Sequence, residues 1–362
     1  MKAVVTGAHG FLGWHVRSAL HAKGLEHSSL RVGSQFDRDR SVEALNGADT
    51  LLHLAGVNRG TDDEVASGNE HFARQIASVL ETVSVPPRRV VFANSVQAGN
   101  GSAYGSSKQN AARVLEAACR NVGSEFTDAQ LPNLFGEHGK PHYNSFVATF
   151  CKQLAVGERP SVTGEKSVQL LHAQDAADLL ISETDHDIES FSRTATIPDV
   201  ADLLITISKT YKNGEIPNLA DGFVRDMFNT YRSYLIGETL PFRLAMNTDS
   251  RGAFVEVLRA HGGEGQTSLS TTKPGVTRGE HYHRRKVERF TVIRGAARIS
   301  MRRLFDETVL TFDVEGDAPM AVDMPTMWAH NITNVGPSEL VTVFWTNELF
   351  DLSVPDTNPE KV

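Results

Sequence analysis

From residue 1 to about 180, apolar runs of strand length alternate with longer amphipathic stretches. "KAVVTG", "DTLLHLAG", "RRVVFANS" and "EFTDAQLPN" predict strands, each followed by a longer polar or amphipathic segment. Beyond Tyr104, apolar residues recur at Ala111, Val114, Leu115, Ala118, Cys119 and Val122, which places them on one helix face. This alternation predicts an α/β doubly wound parallel sheet. After "YLIGETLPFRLAMNTDSRG" the pattern changes. Short alternating segments ("QTSLSTT", "RFTVIRG", "AARISMR", "ETVLTFD", "ELVTVFW") are separated by Gly, Pro and Asp and predict an all-β sandwich or barrel. The change falls near residues 236–245, so the expected domains are 1–240 and 241–362.

Composition sharpens this only at the margins. The 362 residues exceed one ordinary core, and 40% hydrophobic with 22% charged residues is usual for a globular protein. A net charge of −8 argues against a nucleic-acid surface or an anionic membrane as partner. No apolar run approaches the roughly 18 residues of a membrane span. The first apolar segment runs straight into a glycine-rich turn, so no leader is expected. Cys119 and Cys151 are too few for a disulfide framework or a thiolate metal site, and a cytoplasmic location is the expectation.

Three stretches carry chemistry. In "TGAHGFLG", Gly7, Gly10 and Gly13 lie between a predicted strand and a predicted helix. Glycines there permit a tight turn, close approach of backbone to a pyrophosphate, and close packing of helix on strand. The amide hydrogens of the helix start then face the phosphates. In "ANSVQAGNGSAYGSSK", Tyr104 and Lys108 share a helix face, and Ser95 ends the preceding strand. A nearby ammonium is expected to lower the phenol pKa, so that Tyr104 exchanges a proton with a carbonyl oxygen that Ser95 holds. Val96 and Gln97, which follow the serine, are neither an acid nor a carboxylate. Gly33 and Ser34, with Arg31, Arg38 and Arg40 nearby, follow the second strand where NAD enzymes carry an acid, which favours NADP(H).

The third stretch is "GVTRGEHYHRRKVERFTVIRG". His281 and His283 are expected on one face of a strand, Glu288 follows, and His330 comes from a later strand in "PTMWAHNITN". Three imidazoles and a carboxylate suit a divalent transition metal.

"TGAHGFLG", "HLAG" (residues 53–56), Ser95, Tyr104/Lys108 and "LPNLFG" (residues 131–136) resemble the extended short-chain dehydrogenase/reductases, a Rossmann family that mostly handles nucleotide-activated sugars. The resemblance implies cofactor contacts from Phe11, Leu54, Ala55, Tyr104 and Lys108, and substrate contacts from Asn133 and Asn144. Gly275, His281, His283, Glu288 and Gly295 resemble the first cupin motif. Pro325, His330 and Asn334 resemble the second, with Met327 where that motif has glycine. A jelly-roll cupin with zinc on His281, His283, Glu288 and His330 is implied. The chain is also similar to cupin-fold epimerases of nucleotide-linked 4-keto-6-deoxy sugars, in which the residue matching His281 is a general base. With His281 on a metal, Tyr282 and Lys273 become the candidates for proton removal, and Arg278 for the diphosphate.

A ketone links the halves: it acidifies the neighbouring C–H for inversion and accepts the hydride for reduction. The order of domains, with "HLAGVNR", "PNLFG", "YNSFVATFC" and "DMPTMWAHNITNVG", resembles the bifunctional capsular-polysaccharide enzymes of the UDP-N-acetyl-L-fucosamine pathway. That resemblance implies a UDP-2-acetamido-2,6-dideoxy-4-keto-hexose inverted at C3 in the cupin, then reduced at C4 with NADPH by a homodimer. A 4-epimerase that retains NAD beside a purely structural cupin is the alternative reading.

Overall fold

The computed structural model describes residues 1–162, 164–183, 187–237 and 240–362. The chain forms two compact units, residues 1–135 with 167–195, and residues 136–166 with 196–362.

The first unit begins with β1 (Lys2–Thr6), α1 (Phe11–Ala22), β2 (Glu26–Leu30), α2 (Arg38–Leu45) and β3 (Thr50–His53). It continues through α3 (Asp62–Leu80), β4 (Arg89–Ser95), α4 (Ala103–Val122) and β5 (Glu125–Leu131). The strands pair in parallel in the order β2-β1-β3-β4-β5, so the chain reverses direction across the sheet between β1 and β3. Ligands of such sheets bind at the carboxyl ends of the strands at that reversal. One face packs Val4, Leu51, Val90 and Phe92 against α3 and α4 residues such as Ile76 and Leu115; the other packs Val5, Leu52 and Val91 against Val16 and Leu20 of α1. Both faces are covered, as a parallel sheet requires. Helix ends are written into the sequence. Thr61 and Glu64 form a capping box on α3, Ser102 caps α4, and Gly123 closes α4 at φ 77°.

The chain continues through β6 (Asn133–Phe135), α5 (Phe146–Ala155), β7 (Ser167–His172), α6 (Ala173–Ile181) and β8 (Arg193–Thr196), with β6, β7 and β8 in one small sheet. α5, α7 (Ile197–Lys212) and α8 (Gly222–Arg232) belong to the second unit with the β-rich part. The fold type therefore changes near residue 240, while the compact unit starts earlier. A buried network explains that membership. Tyr211 of α7 donates to Asp323 (2.7 Å), and Arg289 grips the same carboxylate at 2.6 and 2.9 Å while also donating to Gly214 O. Breaking one partner of such a pair costs about 3–5 kcal/mol, because it strands a buried charge.

The remaining strands are β9 (Phe242–Arg243), β10 (Met246–Asp249), β11 (Gly252–Val255), β12 (Gln266–Thr272), β13 (Thr277–Tyr282) and β14 (Glu288–Arg294). They are followed by β15 (Ala296–Arg303), β16 (Val309–Glu315), β17 (Met320–Met324), β18 (Trp328–Asn334), β19 (Leu340–Thr346) and β20 (Asn358–Pro359). Apart from the β10-β11 hairpin they form two antiparallel sheets, β12-β19-β14-β17-β9 and β16-β15-β18-β13-β20. Alternate residues of both sheets, among them Phe290, Val292, Ile299, Met301, Val322 and Ile332, share one core. The expected α/β part followed by an all-β part is the observed architecture. Among the described residues no helix is long and apolar enough to cross a membrane.

Candidate active sites

At the carboxyl end of β1 the chain turns through Gly7 (φ 66°) into α1, whose first residue is Phe11. A Cβ on Gly7 would lie 2.7 Å from Ala55 N, and one on Gly13 would lie 2.1 Å from Gly7 O. Only glycine lets the turn, the helix and the loop after β3 approach this closely. Gly10 is the N-cap of α1 and supplies no side-chain cap, which leaves the first-turn amides to a ligand. The Thr6 hydroxyl accepts from Leu54 N (3.1 Å) and Ala55 N (3.2 Å), so it is the donor to His53 Nδ1 at 2.8 Å. Burial first, then the charge of Lys108, pushes His53 down to about 3, so it is neutral. Gly7, Gly10, Phe11, Gly13, Leu54 and Ala55 thus meet at the reversal of the sheet and fit a dinucleotide.

Arg31, just past β2, is exposed and donates to Gln35 Oε1 at 2.7 Å. Asp37 is used as the N-cap of α2, accepting from Arg40 N, and Arg38 donates to Thr82. Neither Asp37 nor Arg38 is at the strand end itself.

Ser95 ends β4, and Tyr104 and Lys108 lie in the first turns of α4. The Ser95 side chain favours the Tyr104 phenolate. Burial is the larger effect, and the phenol pKa is raised. The expected lowering by Lys108 is therefore not what this structure shows, and the reason is visible. The Lys108 ammonium is turned to the sheet, donating to Ala93 O (2.6 Å) and lying 4.1 Å over the Phe92 ring. Burial lowers Lys108 to about 7, against the opposing charge of Asp128. A phenol kept protonated is the state that gives a proton to a ketone oxygen. Asn69, which sequence reading missed, ties the site together. Its Oδ1 accepts from Val57 N, and its Nδ2 donates to Val57 O and to Ser107 Oγ of α4. An asparagine is a poor helix former, but its role here shows only when α3 packs on α4. Asn133 is exposed on β6 and donates to Gln169 O (3.3 Å); Asn144 lies in the second unit, just before the N-cap of α5.

In the second unit, His281, His283, Glu288 and His330 offer ligand atoms that all lie within 4.8 Å of one another. His281 is on β13. His283 falls one residue past that strand, not on it as expected, and still joins the cluster; β13 itself has a bulge between Gly279 and His281. Glu288 Oε2 is 3.2 Å from His283 Nε2 and 3.1 Å from His330 Nε2. The other nitrogens of these rings are committed: His283 Nδ1–H donates to Asp356 O, and His330 Nδ1–H to Trp328 O at 3.1 Å. Two Nε2 lone pairs and a carboxylate oxygen this close repel unless a proton or a metal cation lies between them. Imidazoles so anchored through Nδ1 are what a metal centre uses, and the residues fit a divalent transition ion. When protons lie between these groups, burial opposes the charge on Glu288, but hydrogen bonds from His283 and His330 outweigh it and hold the carboxyl far below its usual range. Burial, then His330 and His283, lowers His281 to about 4.

The cluster opens into a cavity of about 310 Å³ with Arg278 and Lys286 on its polar side and Phe290, Ile332, Phe344 and Phe350 on its apolar side. Neither expected proton acceptor lines it. Tyr282 is fully buried beside His281, its pKa pushed up to about 12 by burial, and Lys273 is exposed in the turn after β12. Met327, where the motif has glycine, keeps glycine's geometry: it sits at φ 60°, fully buried, and donates from its N–H to His283 O at 2.6 Å. Two further residues went unread. Asp356 holds His283 from the far end of the chain, and Asn347 accepts from Val287 N at 2.7 Å beside Glu288.

The chain is 31% identical to a Pseudomonas aeruginosa UDP-2-acetamido-2,6-beta-L-arabino-hexul-4-ose reductase, over 99% of this chain and 98% of that one. Among solved structures it is similar to the capsular polysaccharide assembling protein CapF of Staphylococcus aureus, with 33% identity, a TM-score of 0.64 and full coverage of both chains. The UDP-N-acetylglucosamine 4-epimerase of Bacillus cereus shares the fold over 58% of this chain and 82% of its own, at 20% identity and a TM-score of 0.51. Residues 3–187 match the NAD dependent epimerase/dehydratase family and residues 247–358 the polysaccharide biosynthesis C-terminal domain. The protein is a member of the NAD dependent epimerase/dehydratase family that carries a polysaccharide biosynthesis C-terminal domain.

Proposed function

We propose that this chain is a bifunctional sugar-nucleotide enzyme acting on a UDP-2-acetamido-2,6-dideoxy-4-keto-hexose. A zinc cupin (residues 241–362) inverts C3, and an NADPH-dependent reductase (residues 1–240) then reduces the C4 ketone toward UDP-N-acetyl-L-fucosamine for a surface polysaccharide. We further propose that it works as a cytoplasmic homodimer. The observation that carries the reading is the presence in one chain of Ser95 at the end of β4 with Tyr104 and Lys108 at the start of α4, and of a His281/His283/Glu288/His330 cluster, with a keto-sugar reductase similar end to end.

NADPH, when bound, supplies the hydride, and a divalent metal, when bound, supplies a Lewis acid for a carbonyl oxygen. The rest falls to side chains. Gly7, Gly10 and Gly13 clear space for the pyrophosphate, and Arg31 meets the 2′-phosphate. Ser95 holds the C4 oxygen while Tyr104 passes it the phenolic proton. Lys108 donates at Ala93 O and lies over the ring of Phe92. In the cupin, His281, His283, Glu288 and His330 hold the metal, and Arg278 and Lys286 bring positive charge to the cavity that receives the sugar nucleotide. Reduction removes the ketone that acidifies C3–H, so inversion comes first.

The test is incubation of the keto substrate in deuterated water without NADPH. Deuterium is expected at C3 with no reduced product, and reduction follows when NADPH is added. Reduction without any C3 exchange would leave a simple reductase and remove the epimerase half of the reading.

A further inference from the structure

The last strand and the residues just before it do more than complete a sheet. β20 pairs with the ligand-bearing strand, Pro359 opposite His281 and Asn358 opposite Tyr282. Immediately upstream, Pro355 O accepts from Lys286 Nζ at 2.8 Å. Between these two attachments sits Asp356, mostly buried and held at φ 42°. Its carboxylate collects the three consecutive amides that follow His283: Arg284 N on Oδ1 at 3.0 Å, and Arg285 N and Lys286 N on Oδ2 at 2.9 Å each. Its own carbonyl takes the Nδ1 proton of His283.

We propose that Asp356 is the positioning residue of the metal centre, resting on the metal reading above: one residue fixes both the turn that carries His283 and the tautomer and tilt of its imidazole. The two functions are coupled through a single backbone. If the carboxylate lets go of the turn, the carbonyl that orients the ring moves with it. The positive φ is part of the device, because it aims side chain and carbonyl at the same short segment. Removing the carboxylate leaves three amides without their acceptor, and the turn must rearrange to find water. The ring then keeps its nitrogen but loses its aim, and metal affinity falls without the loss of any ligand.

The experiment uses the full chain with Asp356→Asn, Asp356→Ala and, as control, Glu360→Gln. The control removes the charge from the strap's ion pair, in which Arg302 Nη2 donates to Glu360 Oε1 at 2.6 Å, and leaves the Asp356 contacts in place. Zinc dissociation constants are measured by competition with a chromogenic chelator, and the visible spectrum of the cobalt-loaded protein reports ligand geometry. Asp356→Ala is expected to bind zinc roughly 10–100-fold more weakly, the range for partners of metal ligands, with an altered cobalt spectrum at full loading. Asp356→Asn should lose less, since asparagine tolerates positive φ and keeps one acceptor oxygen; it decides the matter if the alanine variant does not fold. Glu360→Gln should match the parent. Parent-like affinity and spectrum in both Asp356 variants, or an equal loss in Glu360→Gln, would overturn the assignment. A parent that binds neither zinc nor cobalt would overturn the metal reading and this one with it.

Discussion

The two candidate sites are assembled in opposite ways. Around Ser95, Tyr104 and Lys108 the scaffold is a parallel sheet, and the polar groups reach backbone of neighbouring strands and loops, as Lys108 does at Ala93 O. Around His281, His283, Glu288 and His330 the scaffold is a set of ties between distant segments, 73 residues apart for His283 and Asp356 and 42 for His330 and Glu288. Electrostatically they differ as well. The first site suppresses charge, raising the phenol and bringing the buried ammonium down to about 7. The second holds one carboxylate ionised among three imidazoles. A site made at the carboxyl ends of sheet strands can be read from a short motif, whereas a site made by long ties can be read only in the clustered side chains.

If the sites are chemically separate, substitutions should separate them. Tyr104→Phe is expected to cut reduction by about 10²–10⁴-fold while NADPH binding and C3 deuterium exchange persist. The measurements are NADPH consumption, cofactor fluorescence titration and mass spectrometry of the substrate. Loss of exchange in that variant would join what the comparison separates.

His330→Ala is the reciprocal change. One of four ligands is gone, so zinc content per chain, read by elemental analysis, should fall well below the parent's, and exchange should stop while a pre-inverted ketone is still reduced. Full zinc occupancy would remove His330 from the centre.

A smaller effect is expected at the cofactor. NADPH should give a higher kcat/KM than NADH, and Arg31→Ala should narrow the gap by about tenfold, a loss of about 1.4 kcal/mol in discrimination. Equal kcat/KM values for the two cofactors in the parent would sink the assignment.

The mildest test is thermodynamic. Lys108 is held near 7 in the folded chain against 10.5 unfolded, so between those values the unfolded chain binds the extra proton. Raising the pH through that window therefore favours the folded form, and the penalty is fully present below about 7. Urea melts should show the stability of Lys108→Met, relative to the parent, largest near pH 7 and shrinking toward pH 10. A constant difference would mean that the ammonium is not held in the buried position described here.

Much of this was legible beforehand because the signals were local. The glycine turn, the Ser95/Tyr104/Lys108 spacing and the two histidine motifs each lie within one or two elements, and the structure brings the expected members together. What escaped was set by packing at long range. Nothing near Asp356 announces that it will meet residues 283–286, and Asn69 declares itself only once α3 lies against α4. Tyr282 and Lys273 stay outside the cavity lining for a different reason. Proximity to His281 in sequence says nothing about facing: strand alternation buries Tyr282 beside it, and the turn after β12 leaves Lys273 in solvent. Met327 shows a third limit, since a side chain buried in the core can hold a backbone shape that sequence assigns to glycine.

The strap through Asp356 also has a consequence for the order in which the protein becomes competent during synthesis. The glycine turn and the Ser95/Tyr104 pair lie within the first 104 residues, and the last strand of their sheet ends at Leu131, so that sheet can form while translation continues. The histidine cluster is different. His283 emerges with its ring unheld and waits 73 residues for the carbonyl that aims it. On a ribosome, then, the glycine turn can take its shape well before the ring of His283 is aimed, because its partner Asp356 is made 73 residues later.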